Sequence, residues 1–241
     1  MKFVDIVKQI FLTLLYEIIW FFYIVFIVIP SPLIVKLRKK GETCKQPYII
    51  CPIHVGNFDP VFITRVTRAF RLRAMYQVDG PYPFLKFFYK SIWRFRVSQN
   101  PKIKEELNKR TIRNIIIFLK NGGKIMIYPE GYWNWQKIIY PGVAKIAHES
   151  NTPIIPTGIE NGYTFRPELD NQPPLKAIGR ILSDYRKLKK VTIHFDEPIY
   201  PDQSLKESED ISRIMDLLES KFDEYYRDFY NIEGPKKFDK N

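Results

Sequence analysis

Residues 48–60 read YIICPIHVGNFDP. The first half, Tyr48–Ile53, is a continuous apolar run, which suits a strand covered on both faces rather than one with a wet side. The second half breaks that run. Gly56 and Asn57 are turn-formers, and Pro60 stands where a helix accepts proline, in its first turn. The stretch therefore predicts a strand, a tight turn and a helix over Pro60–Phe70, which is the opening of a βα unit.

The same alternation extends through the chain. Arg73–Val78, Phe95–Val97, Lys124–Tyr128, Pro153–Ile159 and Val191–Phe195 read as strands, most of them continuously apolar. Phe84–Ser91, Lys102–Lys120 and Gly142–Ser150 read as helices, and Asn121-Gly122-Gly123 is a strong helix stop. Alternation of this kind predicts an α/β fold, a twisted and mostly parallel sheet covered by helices. Gly162–Pro174 is a polar, proline-bearing loop, and Asp210–Tyr230 is a closing amphipathic helix. No internal repeat or low-complexity tract interrupts the pattern. With 241 residues the chain is long enough for a full core without disulfides or metals. Cys44 and Cys51 match neither a zinc spacing nor a disulfide framework, and three histidines leave little room for a metal site. No metal or cofactor is expected.

Upstream of the sheet the composition changes. From Ile10 to Ile29 only Thr13 and Glu17 are polar. Twenty such residues are long enough to cross a bilayer core as a helix, and Tyr16, Trp20, Phe21, Phe22 and Tyr23 suit a membrane interface. Pro30-Ser31-Pro32 ends the run, and Lys36, Arg38, Lys39 and Lys40 follow. Spanning the bilayer and lying in one leaflet both fit, with Glu17 favouring the second because its carboxylate then reaches water. The expected organisation is a membrane-associating helical segment with a basic flank over 1–40, a catalytic domain over 41–230 and a disordered tail over 231–241.

The net charge of +12 is concentrated in one region. Residues 36–113 hold 18 basic and 5 acidic side chains, net +13, while the regions on either side are close to neutral. A basic face built from one part of the chain focuses a field on an anionic partner. The apolar start makes lipid headgroups the expected partner and nucleic acid not expected.

Two short constellations carry chemistry. His54 follows a strand, at the carboxyl end where open α/β sheets place their ligands. Asp59, five residues on, accepts a hydrogen bond from the ring across the turn, which fixes the tautomer and leaves the other nitrogen as a base. The second is Tyr128-Pro129-Glu130-Gly131, again at the end of an apolar strand. Either one alone is common as ordinary structure. In this order, about 70 residues apart and followed by Pro153-Ile154-Ile155-Pro156, they are specific.

In these motifs, from about Tyr48 to Pro198, the chain resembles the glycerolipid acyltransferases that act on 1-acyl-glycerol-3-phosphate and related lysophospholipids. The resemblance extends to Pro141–Ala147 and to the closing Val191–Pro198 stretch. It implies His54 and Asp59 as the catalytic pair. It implies substrate binding by Pro129, Glu130 and Gly131, with Asn57, Arg94 and Arg96 as further candidates. The implied reaction is acyl transfer from acyl-CoA or acyl-carrier protein to a lipid hydroxyl by general base catalysis, with no acyl-enzyme, on the cytoplasmic side of a membrane. The chain departs from the family in four places. Ile53 replaces the usual Asn, and Gly56 replaces a Ser. Tyr132-Trp133-Asn134-Trp135 replaces the Thr-Arg that follows Glu-Gly, and Ser98-Gln99 stands where a phosphate-binding Arg is expected. An indole cannot form the two-pronged contact of an Arg with phosphate. An acceptor other than a phosphate monoester is therefore a second reading. The readings from other classes are a non-catalytic membrane-binding relative and a nucleic-acid-binding protein. His148 and His194, which carry no motif, read as structural.

Overall fold

The computed structural model describes residues 17–56, 58–78, 94–131, 138–162 and 186–238, with isolated positions before and between them. Its centre is a seven-stranded sheet in the order β1-β8-β7-β2-β5-β3-β4. The strands are β1 (Lys36–Lys40), β2 (Ile49–Pro52), β3 (Arg73–Gln77), β4 (Arg94–Val97), β5 (Ile125–Met126), β7 (Ile154–Glu160) and β8 (Lys190–Phe195). All neighbours are parallel except β7 and β8. The mostly parallel α/β sheet expected from the sequence is thus present. Among the described residues four helices of nine residues or more flank it: α1 (Asp59–Thr67), α2 (Lys104–Lys120), α3 (Gly142–Ser150) and α4 (Glu207–Tyr230).

The apolar character of β2 follows from its position. It lies between β5 and β7, and every residue from Ile49 to Pro52 is buried. Right-handed crossovers then decide which face each helix covers. The β2-α1-β3 crossover runs toward β4, whereas β4-α2-β5 and the path from β5 through α3 to β7 run back the other way. α1 therefore lies on one face, and α2 and α3 on the other. The packing agrees: α2 touches α3, α3 touches α4 and α4 touches β7, while α1 packs against the N-terminal segment. α4 comes so close to β7 that a Cβ at Gly158 would stand 2.7 Å from the Phe229 ring and 2.8 Å from that of Tyr225.

Residues 17–23 are helical and run into a π-helical turn, Ile24–Val28. One side of this segment belongs to the core through Trp20, Tyr23, Ile24 and Val28. Phe21, Phe22 and Phe26 on the other side are more than half exposed. Glu17 pairs with Arg73 at 3.3 Å, and the Arg73 guanidinium lies 4.5 Å from the Trp20 ring. The polar interruption of the apolar run is thus a tether to β3. Among the described residues no helix is long and apolar enough to cross a membrane.

Two segments gain structure that the sequence did not announce. The basic run Lys36–Lys40, expected as a flank of the N-terminal segment, is the edge strand β1, paired with Lys190–His194. Its charged side chains are exposed, and at a sheet edge they discourage pairing with a further chain. The tail expected to be disordered contributes β9 (Lys236–Lys237), paired with β6 (Ile138–Ile139), and Phe238 packs on Tyr140. The short, charged tail has little local signal for a strand, because its partner lies about a hundred residues away. The expected helix Phe84–Ser91 and nearly all of the Gly162–Pro174 loop lie outside the described residues.

Candidate active site

His54 and Asp59 meet at the carboxyl end of β2. Pro52 ends the strand, and the chain turns so that α1 begins at Asp59, with Pro60 in its first turn. His54 Nδ1 lies 3.1 Å from Asp59 Oδ2. The same oxygen accepts the backbone N–H groups of Val55 and Gly56, each at 2.9 Å. Asp59 thus holds the turn that carries His54 as well as the ring itself. With the Nδ1 proton directed at the carboxylate, the lone pair of the neutral ring resides on Nε2. The His54 side chain is 15 % exposed and Asp59 is fully buried.

Burial raises the Asp59 carboxyl above its ordinary value of 3.8, and the hydrogen bond from His54, its charge and the two backbone N–H groups oppose that rise. Asp59 Oδ1 is buried with no hydrogen-bond partner among the described residues. A buried oxygen left unpaired costs about 1–3 kcal/mol. The position is therefore expensive for stability, and a buried carboxyl with a raised pKa beside a histidine marks a candidate site.

The second constellation supports the first from behind. Glu130 is fully buried. Its Oε2 lies 3.4 Å from the backbone nitrogen of His54, and the hydroxyl of Tyr226 donates to the carboxylate, 3.0 Å from Oε1 and 2.9 Å from Oε2. Tyr128 places its ring 4.4 Å from the imidazole, centroid to centroid. Burial, reinforced by the negative charge of Asp59, pushes the Tyr128 hydroxyl well above its ordinary value, so it stays protonated. Gly131 adopts a φ of +76°, the left-handed region that favours glycine. The hydrogen bond from Gly131 N–H to Tyr128 O, at 3.2 Å, closes that turn.

The structure therefore unites His54, Asp59 and Glu130, with the buried Pro129 and the half-buried Gly131 shaping the turn beside them. Arg96 is an exposed residue of β4. β4 stands three strands from β2, about 14 Å at ordinary sheet spacing. Asn57, Trp133 and Trp135 lie outside the described residues, as does the side chain of Arg94. Ser98 is buried, and its backbone N–H donates to Asn108 Oδ1 at 2.9 Å, tying the end of β4 to α2. Tyr226 was not legible in the sequence. The amphipathic pattern of the last helix marks it as buried, but nothing local shows that its hydroxyl reaches a carboxylate 96 residues away.

His148 and His194 have structural partners, as expected. His148 Nδ1 lies 2.8 Å from Asp210 Oδ2 and joins α3 to α4. His194 Nε2 lies 2.9 Å from Glu160 Oε2 and joins β8 to β7. Among the described residues no cluster of His, Cys, Asp or Glu is suited to a metal ion.

One solved structure of similar shape is the 1-acyl-sn-glycerophosphate (LPA) acyltransferase PlsC from Thermotoga maritima. It is 16 % identical, with a TM-score of 0.49, over 89 % of this chain and 95 % of that one. No curated protein matches the sequence. The family model for the Acyltransferase family matches residues 34–160, a span that contains both constellations. That match covers more than half of the chain, and the protein is a member of the Acyltransferase family.

Proposed function

We propose that this acyltransferase moves a fatty acyl group from a thioester donor to the hydroxyl of a lysolipid, lysophosphatidic acid or a close relative, with His54 as general base. The observation that carries the reading is the contact of His54 Nδ1 with the buried Asp59 carboxylate at 3.1 Å. Nε2 takes the acceptor hydroxyl proton as the oxygen attacks the thioester carbonyl. Asp59 stabilises the imidazolium that results, and the proton passes to the departing thiolate. A positioned base of this kind accelerates such a step by about 10²–10⁴-fold. Glu130 orders the backbone that carries the base. No serine or cysteine nucleophile is required. Cys51 is fully buried, and burial together with the charge of Glu130 pushes its thiol well above its ordinary value.

The lipid acceptor calls for a bound membrane surface. Phe21, Phe22, Phe26 and Leu33 supply an exposed apolar face, and the basic side chains of β1 follow it in the chain. This arrangement suits a helix lying in one leaflet, on the cytoplasmic side where anionic lipids attract lysines and arginines. The test is acyl transfer from acyl-CoA and from acyl-carrier protein to a panel of lysolipids in vesicles. Transfer to lysolipid hydroxyls supports the reading, and its absence with every acceptor defeats it.

A second reading concerns the acceptor alone. The Arg expected after Glu130-Gly131 is replaced by Tyr132-Trp133, so a phosphate monoester loses a charge-assisted contact of about 1.5–3 kcal/mol. Lysolipids with larger or neutral headgroups are then substrates too. Competition between them and lysophosphatidic acid at equal surface concentration decides, and exclusive use of lysophosphatidic acid rejects this second reading.

A further inference from the structure

After leaving the Pro129-Glu130-Gly131 turn, the chain comes back to it. Tyr140, just past β6, donates its backbone N–H to the carbonyl of Pro129 at 2.8 Å. Its ring lies over Gly131, where an added Cβ would stand 3.5 Å from the nearest ring carbon. The segment that holds this return is the end of the chain. Among the described residues β9 is the one strand paired with β6. Directly after β9, the Phe238 N–H donates to Ile139 O at 2.8 Å, and the Phe238 ring lies 5.4 Å from that of Tyr140, centroid to centroid.

The tail is itself fastened to α4. Asn231 adopts a left-handed φ of +53°, and the N–H groups of Asn231 and Ile232 donate to the carbonyls of Arg227 and Tyr226, which ends the helix and reverses the chain. Gly234 then passes so close to α4 that a Cβ there would stand 2.7 Å from Asp223 Cα. Its N–H donates to Asp223 Oδ1 at 3.2 Å. Lys236 pairs with Asp223 at 3.8 Å, and Lys237 pairs with Asp216. Two routes thus lead from α4 to one turn. Tyr226 reaches the Glu130 carboxylate, and the tail, through Tyr140, reaches Pro129 and Gly131.

Stability of the fold does not account for the second route. Lys236 and Lys237 are exposed, Phe238 is 37 % exposed, and a pair of two-residue strands is marginal by itself. What the pairing fixes is the path of the chain around Gly131. In the acyl-transfer reading above, that is the headgroup side of the acceptor, because the residues after Glu130-Gly131 stand where the phosphate-binding Arg is expected. Resting on that reading, we infer that the tail Gly234–Phe238 is a positioning element of the acceptor site: Phe238, acting through Tyr140, holds the Pro129-Glu130-Gly131 turn in the form that receives the lysolipid headgroup. The two routes then have different effects. Tyr226 supports the backbone of the base, and the tail supports acceptor binding.

The experiment displaces the tail without touching the site. The methyl of Gly234→Ala meets the backbone of α4, which cannot move aside, so the tail lifts off. Phe238→Ala removes only the ring on Tyr140, and Phe238→Tyr keeps it. The full-length variants are assayed with lysophosphatidic acid in vesicles and the thioester donor, acyl-CoA or acyl-carrier protein, that wild type uses. Gly234→Ala and Phe238→Ala should raise KM for the acceptor about fivefold or more, with kcat and donor KM within about twofold of wild type. Phe238→Tyr should restore the acceptor KM. Hydrogen exchange at the Gly131 and Tyr140 amides should quicken about tenfold or more in Gly234→Ala while Ile125–Ile127 stays protected. This second arm reads the tail even if wild type transfers to no lysolipid, an outcome that defeats the acyl-transfer reading instead. Unchanged acceptor KM or unchanged exchange in Gly234→Ala overturns the inference. Equal losses in kcat and both KM values, with a lowered thermal midpoint, make the tail a stability element alone and overturn it too.

Discussion

At the scale of single residues, Asp59 combines a cost to the fold with a role in the site. Burial raises its carboxyl above 3.8, so between 3.8 and the raised value the folded chain holds a proton that the unfolded chain has released. Its contribution to stability falls as pH rises through that window. Asp59→Asn removes the charge yet still accepts from Val55 and Gly56. It should therefore raise the thermal midpoint at pH 7, by roughly 1 kcal/mol of stability, while lowering kcat by about 10²-fold or more. An unchanged kcat would separate Asp59 from the chemistry. Tyr226→Phe takes the hydroxyl from Glu130 and loosens the support of the His54 backbone. The expected outcome is a kcat reduced about tenfold with KM for the acceptor little changed, since the group touches neither substrate.

At the scale of elements, the N-terminal segment and α4 carry the testable load. Phe22→Glu with Phe26→Glu and Leu33→Glu alters exposed positions only, so the fold should persist while flotation with anionic vesicles is lost. Full flotation of that variant would move the anchor elsewhere. His148 and Asp210 clamp α3 to α4. Burial opposes ionisation of Asp210, but hydrogen bonds from His148 and Arg213 outweigh it and hold the carboxyl below 3.8. That stabilisation is present above 3.8 and is lost as pH falls through the lowered value. Asp210→Asn should thus lower the thermal midpoint at pH 7, and its deficit against wild type should close in strong acid, as thermal scans across pH would show.

The elements also show what a sequence can reveal. β2, α1 and α3 were legible because apolar runs and turn-formers act locally, and Gly142–Ser150 agrees residue for residue with the expected helix. The His54–Asp59 contact was legible because five residues and one turn fix it. The basic run Lys36–Lys40 and the tail were not, because the pairing that makes each a strand is supplied by distant residues. Tyr226 was hidden for the same reason, its partner lying in another strand-end turn. Glu17, expected to reach water, is 49 % exposed and also pairs with Arg73, a partner 56 residues away that no local pattern reveals.

At the scale of the whole molecule, the sheet separates two surfaces. The N-terminal segment and α1 lie on one face, and α2, α3 and α4 lie on the other. His54 follows β2, the central strand of the seven, at its carboxyl end. The central claim is that the imidazole of His54 is the base that makes transfer possible. Single-turnover acyl transfer by His54→Ala, with folding confirmed by an unchanged circular dichroism spectrum and thermal midpoint, tests it most directly. The account predicts a rate constant at least about 10³-fold below wild type, with Asp59→Asn adding little further loss in the double variant. A His54→Ala rate near that of wild type would contradict it.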